Sequence, residues 1–266
     1  MEQKKIKRIY NWKKDTKLRP EMVCMVPPAH NLPAKVDLRP GFSPVKDQGE
    51  LGSCTANAAV GGAFEFLEIK AIKAKLAMAS SPEEFDPNKF EAGSRLFVYY
   101  NERVNEGTVN EDSGAELGDI IEAMTQYGVC PESMWAYDEA KFAVKPPQAC
   151  YDAAAKHKIS KGERLVGLQQ MKTILASGLP FIFGIYVYES FESDQVAATG
   201  MVPVPGPNEQ CVGGHEICAA GYDDEKQCLL VRNSWGADWG VGGYFWLPYS
   251  YVQNPNLASD FWVLQK

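Results

Sequence analysis

From Cys54 the run CTANAAVGGAFEFLEIKAIKAKLAM spaces its apolar residues as a helix does, with Phe64, Leu67, Ala71 and Leu76 close to one face. Gly61-Gly62 weakens that helix locally and points to a close packing contact there. SRLFVYYNERV (94–104) and AELGDIIEAMTQYG (115–128) predict two more helices, the second closed by Gly128. After about residue 160 the pattern changes. LPFIFGIYVY, HEICAAGYD, CLLVRNSW and GGYFWLP are short β-branched and aromatic runs separated by turns, the mark of strands. A helical first half and a strand-rich second half predict an α+β fold of two lobes, mostly helical over about 50–160 and mostly β over about 161–250. Residues 1–35 are basic and then Pro-rich (VPPAHNLPAK), which reads as an extended arm preceding a domain at 36–266. Tyr10 and Trp12 are large apolar groups that such an arm could bury.

Charge sharpens the division between arm and body. Residues 1–20 hold eight Lys/Arg and two Asp/Glu, a net of +6, so the −7 of the whole chain leaves −13 on residues 21–266. A basic arm on an acidic body suggests docking in cis, and the acidic body argues against nucleic-acid binding. No run of about 18 uncharged apolar residues is present, so no membrane span is expected. The start, MEQKKIKRIYNWKK, lacks the apolar core of a secretory signal. That favours a cytoplasmic location, with secretion open if a leader has been removed. The seven cysteines are odd in number and irregularly spaced, so they make no disulfide framework and are expected mostly reduced.

The candidate chemistry centres on PVKDQGELGSCTANAAV, where a polar turn ends at Cys54 and a helix begins. A free cysteine is usually buried and inert. At a helix N-terminus, though, the dipole and free N–H groups lower a thiol pKa. Thiol acyl transfer also needs a base, a group that orients it, and donors for an oxyanion. His30 lies in the Pro-rich arm and His157 in a charged, exposed stretch. His215, after two glycines at the start of an apolar strand, is the better base. HEICAAGYDDEKQCLLVRNSW reads as a hairpin turning at Asp224 or Glu225, which carries Asn233 or Ser234 to the imidazole. Asn233 can accept from one ring N–H and fix the tautomer. A zinc set of Cys211, His215, Cys218 and Cys228 is disfavoured, because His215 and Cys218 point to opposite faces of a strand and no CxxC pair occurs. No metal is therefore expected.

Together, PVKDQGELGSCTANA, GGHEICAAGYDD and VRNSWGADWGVGGYFWLP resemble the papain family of cysteine peptidases over roughly residues 36–250. The resemblance implies two lobes, the second an antiparallel β-barrel-like unit, with a cleft between them and no cofactor. It implies Cys54, His215 and Asn233 as the catalytic trio, Gln48 as the oxyanion donor, and Trp235 covering the His–Asn hydrogen bond. Peptide or protein would be the substrate, cut as by an endopeptidase. Gly114, Ala115, Glu116, Leu117, Gly184 and Glu216 fall on its substrate-binding walls. Gly184 and Glu216 suggest a roomy, acidic pocket tolerant of Lys or Arg at P2, the substrate residue second before the cut bond.

Departures from the family pattern are informative. Leu51 stands where a disulfide cysteine is usual, so that bond cannot form, and Thr55 replaces an aromatic residue. Both changes resemble the bacterial or viral branch. About 35 residues precede the domain in this sequence, fewer than the family's long helical propeptide would occupy, and this short basic arm is expected to lie over part of the cleft as its own partner in cis. Two other readings share these residues: a catalytically silent peptide- or partner-binding protein, and a thiol acyltransferase.

Overall fold

The computed structural model describes residues 8–17, 22–78, 84–86 and 89–266 of the 266-residue chain. The helical run from Cys54 forms in three joined pieces: α1 (Cys54–Ala58), a π-helical stretch (Ala59–Phe64) and α2 (Glu65–Ala77). Its wide turns fall on Gly61-Gly62. A Cβ built on Gly62 would lie 2.9 Å from the Cβ of Cys218, so only a glycine lets the helix come this close to the strand behind it. The apolar face differs from that expected. Phe64, Phe66 and Ile69 are buried, Leu67 and Leu76 are half-buried, and Ala71 is exposed. The extra residue of a π turn rotates the remainder of the helix by about 100°, and a uniform 3.6-residue repeat misses that.

Helix α3 (Arg95–Glu106) starts at Ser94, whose hydroxyl accepts from the Phe97 N–H at 3.1 Å, and α4 (Leu117–Gln126) comes after Glu116. Arg103 is fully buried on α3 and spends its donors on the backbone. It donates to the carbonyls of Tyr99 (3.0 Å), Val109 (2.9 Å), Glu111 (2.9 Å) and Phe142 (2.5 Å), which pins the 108–114 loop. A buried guanidinium without such partners would be strongly destabilising.

The strands are β1 (Lys35–Asp37), β2 (Lys161–Arg164), β3 (Phe181–Tyr188), β4 (Cys211–Asp223), β5 (Cys228–Arg232), β6 (Tyr244–Pro248) and β7 (Ala258–Gln265). They form one antiparallel sheet in the order β2-β7-β3-β4-β5-β6, open at its ends, with β1 added to β4. The short helices α5 (Gln148–Ala154), α6 (Leu168–Ala176), α7 (Asp194–Thr199) and α8 (Tyr249–Val252) lie between strands or before them. Alternation along β3 divides two cores. Ile182 and Tyr186 face α1–α4, whereas Phe181, Phe183, Ile185 and Val187 face a second core with Leu175, Leu229, Val231 and Leu247. The sheet therefore includes β1 and β7, which lie outside the 161–250 span read as the β lobe. No helix among the described residues is long and apolar enough to cross a membrane.

The tight contact at Gly62 yields a stability prediction. Gly62→Val should overpack against Cys218, cost about 1–3 kcal/mol and lower the melting temperature by several degrees. An unchanged melting temperature would contradict this account of the π stretch.

Candidate active site

Two pinned loops converge on the N-terminus of α1. The first runs from Phe42 to Gly52. Arg232 on β5 donates to the carbonyls of Ser43 and Pro44, both at 2.8 Å, and to the Tyr244 hydroxyl at 2.9 Å. The second is the loop held by Arg103, which presents Asp112. That carboxylate accepts the Gly52 N–H at 2.9 Å and also the Tyr99 hydroxyl. Ser53 precedes the helix, and its hydroxyl lies 2.6 Å from the Tyr137 hydroxyl and accepts from the Asn57 side chain at 3.0 Å. Thr55, where the family has an aromatic residue, donates to buried Glu102 at 2.5 Å.

The Cys54 thiol is fully buried at the first position of α1. It lies against the backbone N–H groups of Glu216 and Thr55, which favour a thiolate, but burial wins and pushes the thiol up to about 12. Glu216 follows His215 on β4, so the sulfur lies against the strand that carries the imidazole. His215 Nε2 is 2.8 Å from Asn233 Oδ1, and Nδ1 is buried with no partner. The bond to the amide oxygen assigns the proton to Nε2 and leaves Nδ1 as the acceptor. Trp235 stacks on the imidazole at 5.1 Å between ring centroids and 23° between planes. Burial pushes His215 down to about 4, against the Asn233 hydrogen bond, which pulls it up. Gln48 is fully buried; its Nε2 donates to the Leu51 carbonyl at 3.0 Å, and its Oε1 accepts the Ser234 hydroxyl at 2.5 Å.

The cleft over these residues is filled by the chain's own arm. Arg8 pairs with Asp47 at 2.7 Å and lies 5.4 Å from the Trp235 ring. Tyr10 meets both His215 and Trp235 edge-on, each at 6.0 Å. The Trp12 N–H donates to the Gly214 carbonyl at 2.9 Å and the Lys13 N–H to the Ala115 carbonyl at 3.1 Å, so the arm hydrogen-bonds to both walls. The Trp12 side chain is 4% exposed and lies on Gly184, where any Cβ would overlap the indole. Gly114 has φ +64°, and a Cβ there would strike the Asn11 carbonyl. With the arm seated, water is excluded and the adjacent Arg8 charge further disfavours an imidazolium. Burial thus favours the neutral forms of Cys54 and His215.

Sequence reasoning located these groups unevenly. His215, Asn233 and Trp235 form one hydrogen-bonded and stacked cluster, Gln48 joins the adjoining Ser234, and Cys54 lies against the Glu216 N–H on the strand that carries His215. Gly114, Ala115, Glu116 and Gly184 all touch the arm, Glu116 by accepting the Thr16 hydroxyl at 2.7 Å. Leu117 is buried in the helical core. Glu216 is fully buried, and neither of its carboxylate oxygens has a partner. It pairs with Gly184 across β3 and β4, so it faces the side of the sheet on which Trp12 lies. Missed altogether were Arg8, Asp112 and Asp15, whose partners are far away in sequence and carry no local signal. Among the described residues, no group of three or more His, Cys, Asp or Glu could hold a metal ion. All seven cysteines are free thiols.

The model of the papain family cysteine protease matches residues 32–261. The chain belongs to this family. It is 44% identical over 229 residues to an uncharacterized peptidase C1-like protein of Acanthamoeba polyphaga mimivirus, covering 83% of this chain and 69% of the viral one. Xylellain, a cysteine protease from Xylella fastidiosa, superposes with a TM-score of 0.83 at 36% identity, covering 100% of this chain and 99% of that one. Cysteine proteinase 2 of Entamoeba histolytica is 24% identical over 80% of this chain and 62% of its own length. Membership makes the chain a cysteine-type peptidase with the papain-like α+β fold, as its sequence motifs implied.

Proposed function

We propose that the chain hydrolyses peptide bonds as an endopeptidase, with Cys54 as nucleophile, His215 as base and then acid, Asn233 as the group that orients it, and Gln48 as an oxyanion donor. The observation that carries this reading is the His215–Asn233 hydrogen bond at 2.8 Å under Trp235, which leaves Nδ1 unpartnered and free to take a proton. When the arm lifts, water and substrate enter, and the thiol proton passes to Nδ1 to give a thiolate–imidazolium pair. The thiolate attacks the scissile carbonyl. The developing oxyanion takes the second Nε2 hydrogen of Gln48 and the Cys54 N–H. The imidazolium protonates the leaving amine, and neutral His215 then takes a proton from the water that releases the acyl group. The arm spans the cleft from Arg8 beside Trp235 to Thr16 on Glu116, and a groove running past Cys54 on both sides suits an internal cut.

The arm acts in this reading as a restraint in cis. The slot it fills is wide, because Gly184 supplies no side chain, and it is acidic, because Glu216 has no partner. A long cationic side chain that replaces Trp12 would meet that carboxylate, which gives Arg or Lys preference at P2.

A mechanism-based epoxide read by intact mass tests the nucleophile. One adduct should form, and none in Cys54→Ala; equal labelling in both would overturn the assignment. Fluorogenic dipeptides test the slot. An Arg-P2 substrate should outperform a Leu-P2 substrate, and Glu216→Gln should reduce that ratio by tenfold or more. A strong Leu preference in the parent chain would end the P2 proposal.

A further inference from the structure

Beyond Trp12 the arm buries a second anchor. The Asp15 side chain, 1% exposed, accepts the Gly118 N–H of α4 at 2.9 Å and the Trp262 indole N–H of β7 at 3.2 Å. Its own backbone N–H donates to the Asp260 carboxylate of β7 at 2.9 Å. Seating the arm thus puts two carboxyls side by side, in the same acidic slot as unpartnered Glu216. The cation that faces them is Arg164 of β2, 2.7 Å from Asp260 but 3.8 Å from Asp15, so it is committed mainly to Asp260. Glu102 of α3 adds a further buried carboxyl that acts on Glu216, itself faced by Arg103. Nearby Lys13 and Lys17 are turned to Glu106 and Asp119. Asp15 and Asp260 therefore share one partly exposed guanidinium, and Glu216, buried near them, has no partner.

We propose that the arm is a proton-held latch: Asp15 and Glu216 bind protons when it seats, so the cleft is closed at acidic pH and loosens towards neutrality. This rests on the reading of the arm as a restraint in cis. Burial first, and Asp260 second, raise Asp15 from its ordinary value of 3.8 to about 6, and burial raises Glu216 well above the carboxylate range. A carboxyl whose pKa is higher docked than free takes up a proton on docking. Docking through Asp15 is therefore strongest below about pH 4, weakens as pH rises to about 6, and is constant above that. The direction is opposite to that of a simple anionic anchor on Arg164, which would strengthen as Asp15 ionises.

Hydrogen exchange of the Trp12 and Lys13 amides, corrected for intrinsic rates, reads the latch directly, because both amides are protected only while the arm is seated. Using the full chain with Cys54→Ala keeps the readout independent of catalysis. From about pH 4.5 to 7.5 protection should fall by tenfold or more. Adding Asp15→Asn, which mimics the protonated acid, should raise protection at pH 7.5 above the parent. Asp260→Asn, which removes the repelling charge, should act in the same direction. Protection that is high but flat with pH, or lower in Asp15→Asn than in the parent at pH 7.5, would overturn the latch and leave the restraint standing. Amides unprotected at every pH would overturn both.

Discussion

Trp12 lying on Gly184 is the contact on which the state of this molecule depends. It fixes the arm between the two walls, and the arm in turn keeps water from Cys54 and His215. Burial there favours the neutral thiol of Cys54, pushed up to about 12, and the neutral imidazole of His215, pushed down to about 4. Charging a thiol or an imidazole without solvent is costly, so a closed cleft works against the charged pair. Restraint here is as much electrostatic as steric.

The same economy of position governs the strand beneath. Consecutive residues of β4 point to opposite faces of the sheet, so His215 reaches Asn233 and Trp235 while Glu216 looks into the slot under Trp12. Gly213 and Gly214 just before them leave room for Tyr10 and Trp12 to pass. One short segment therefore supplies the proposed base, a wall of the slot and the carbonyl that holds the arm.

How much was legible in the sequence depends on how local each signal is. Cys54 at a helix start, His215 and Asn233 on one hairpin, and the switch from helical to strand periods are all encoded within short stretches. The stripe expected through Leu67, Ala71 and Leu76 was displaced because a π turn depends on Cys218, a strand residue far along the chain. Thr55 read only as a departure resembling the bacterial or viral branch, because its partner, buried Glu102, lies 47 residues away. Arg8, Asp112 and Asp15 act through Asp47, Gly52 and Trp262, which lie 39, 60 and 247 residues away, and no periodicity reports such pairs. Buried Arg103 and Arg232 were equally silent, since a charged residue in a helix or strand reads as solvated unless its backbone acceptors are known.

The central claim is that a competent papain-type site is masked by the chain's own first residues. Removal of residues 1–17 tests it most directly, because it leaves Cys24, which is buried in the β-lobe core and whose N–H donates to the Arg164 carbonyl at 2.8 Å. Measured with one fluorogenic peptide, kcat/KM of the shortened chain should exceed that of the full chain by tenfold or more at neutral pH. Equal values with both proteins folded and active would contradict the account.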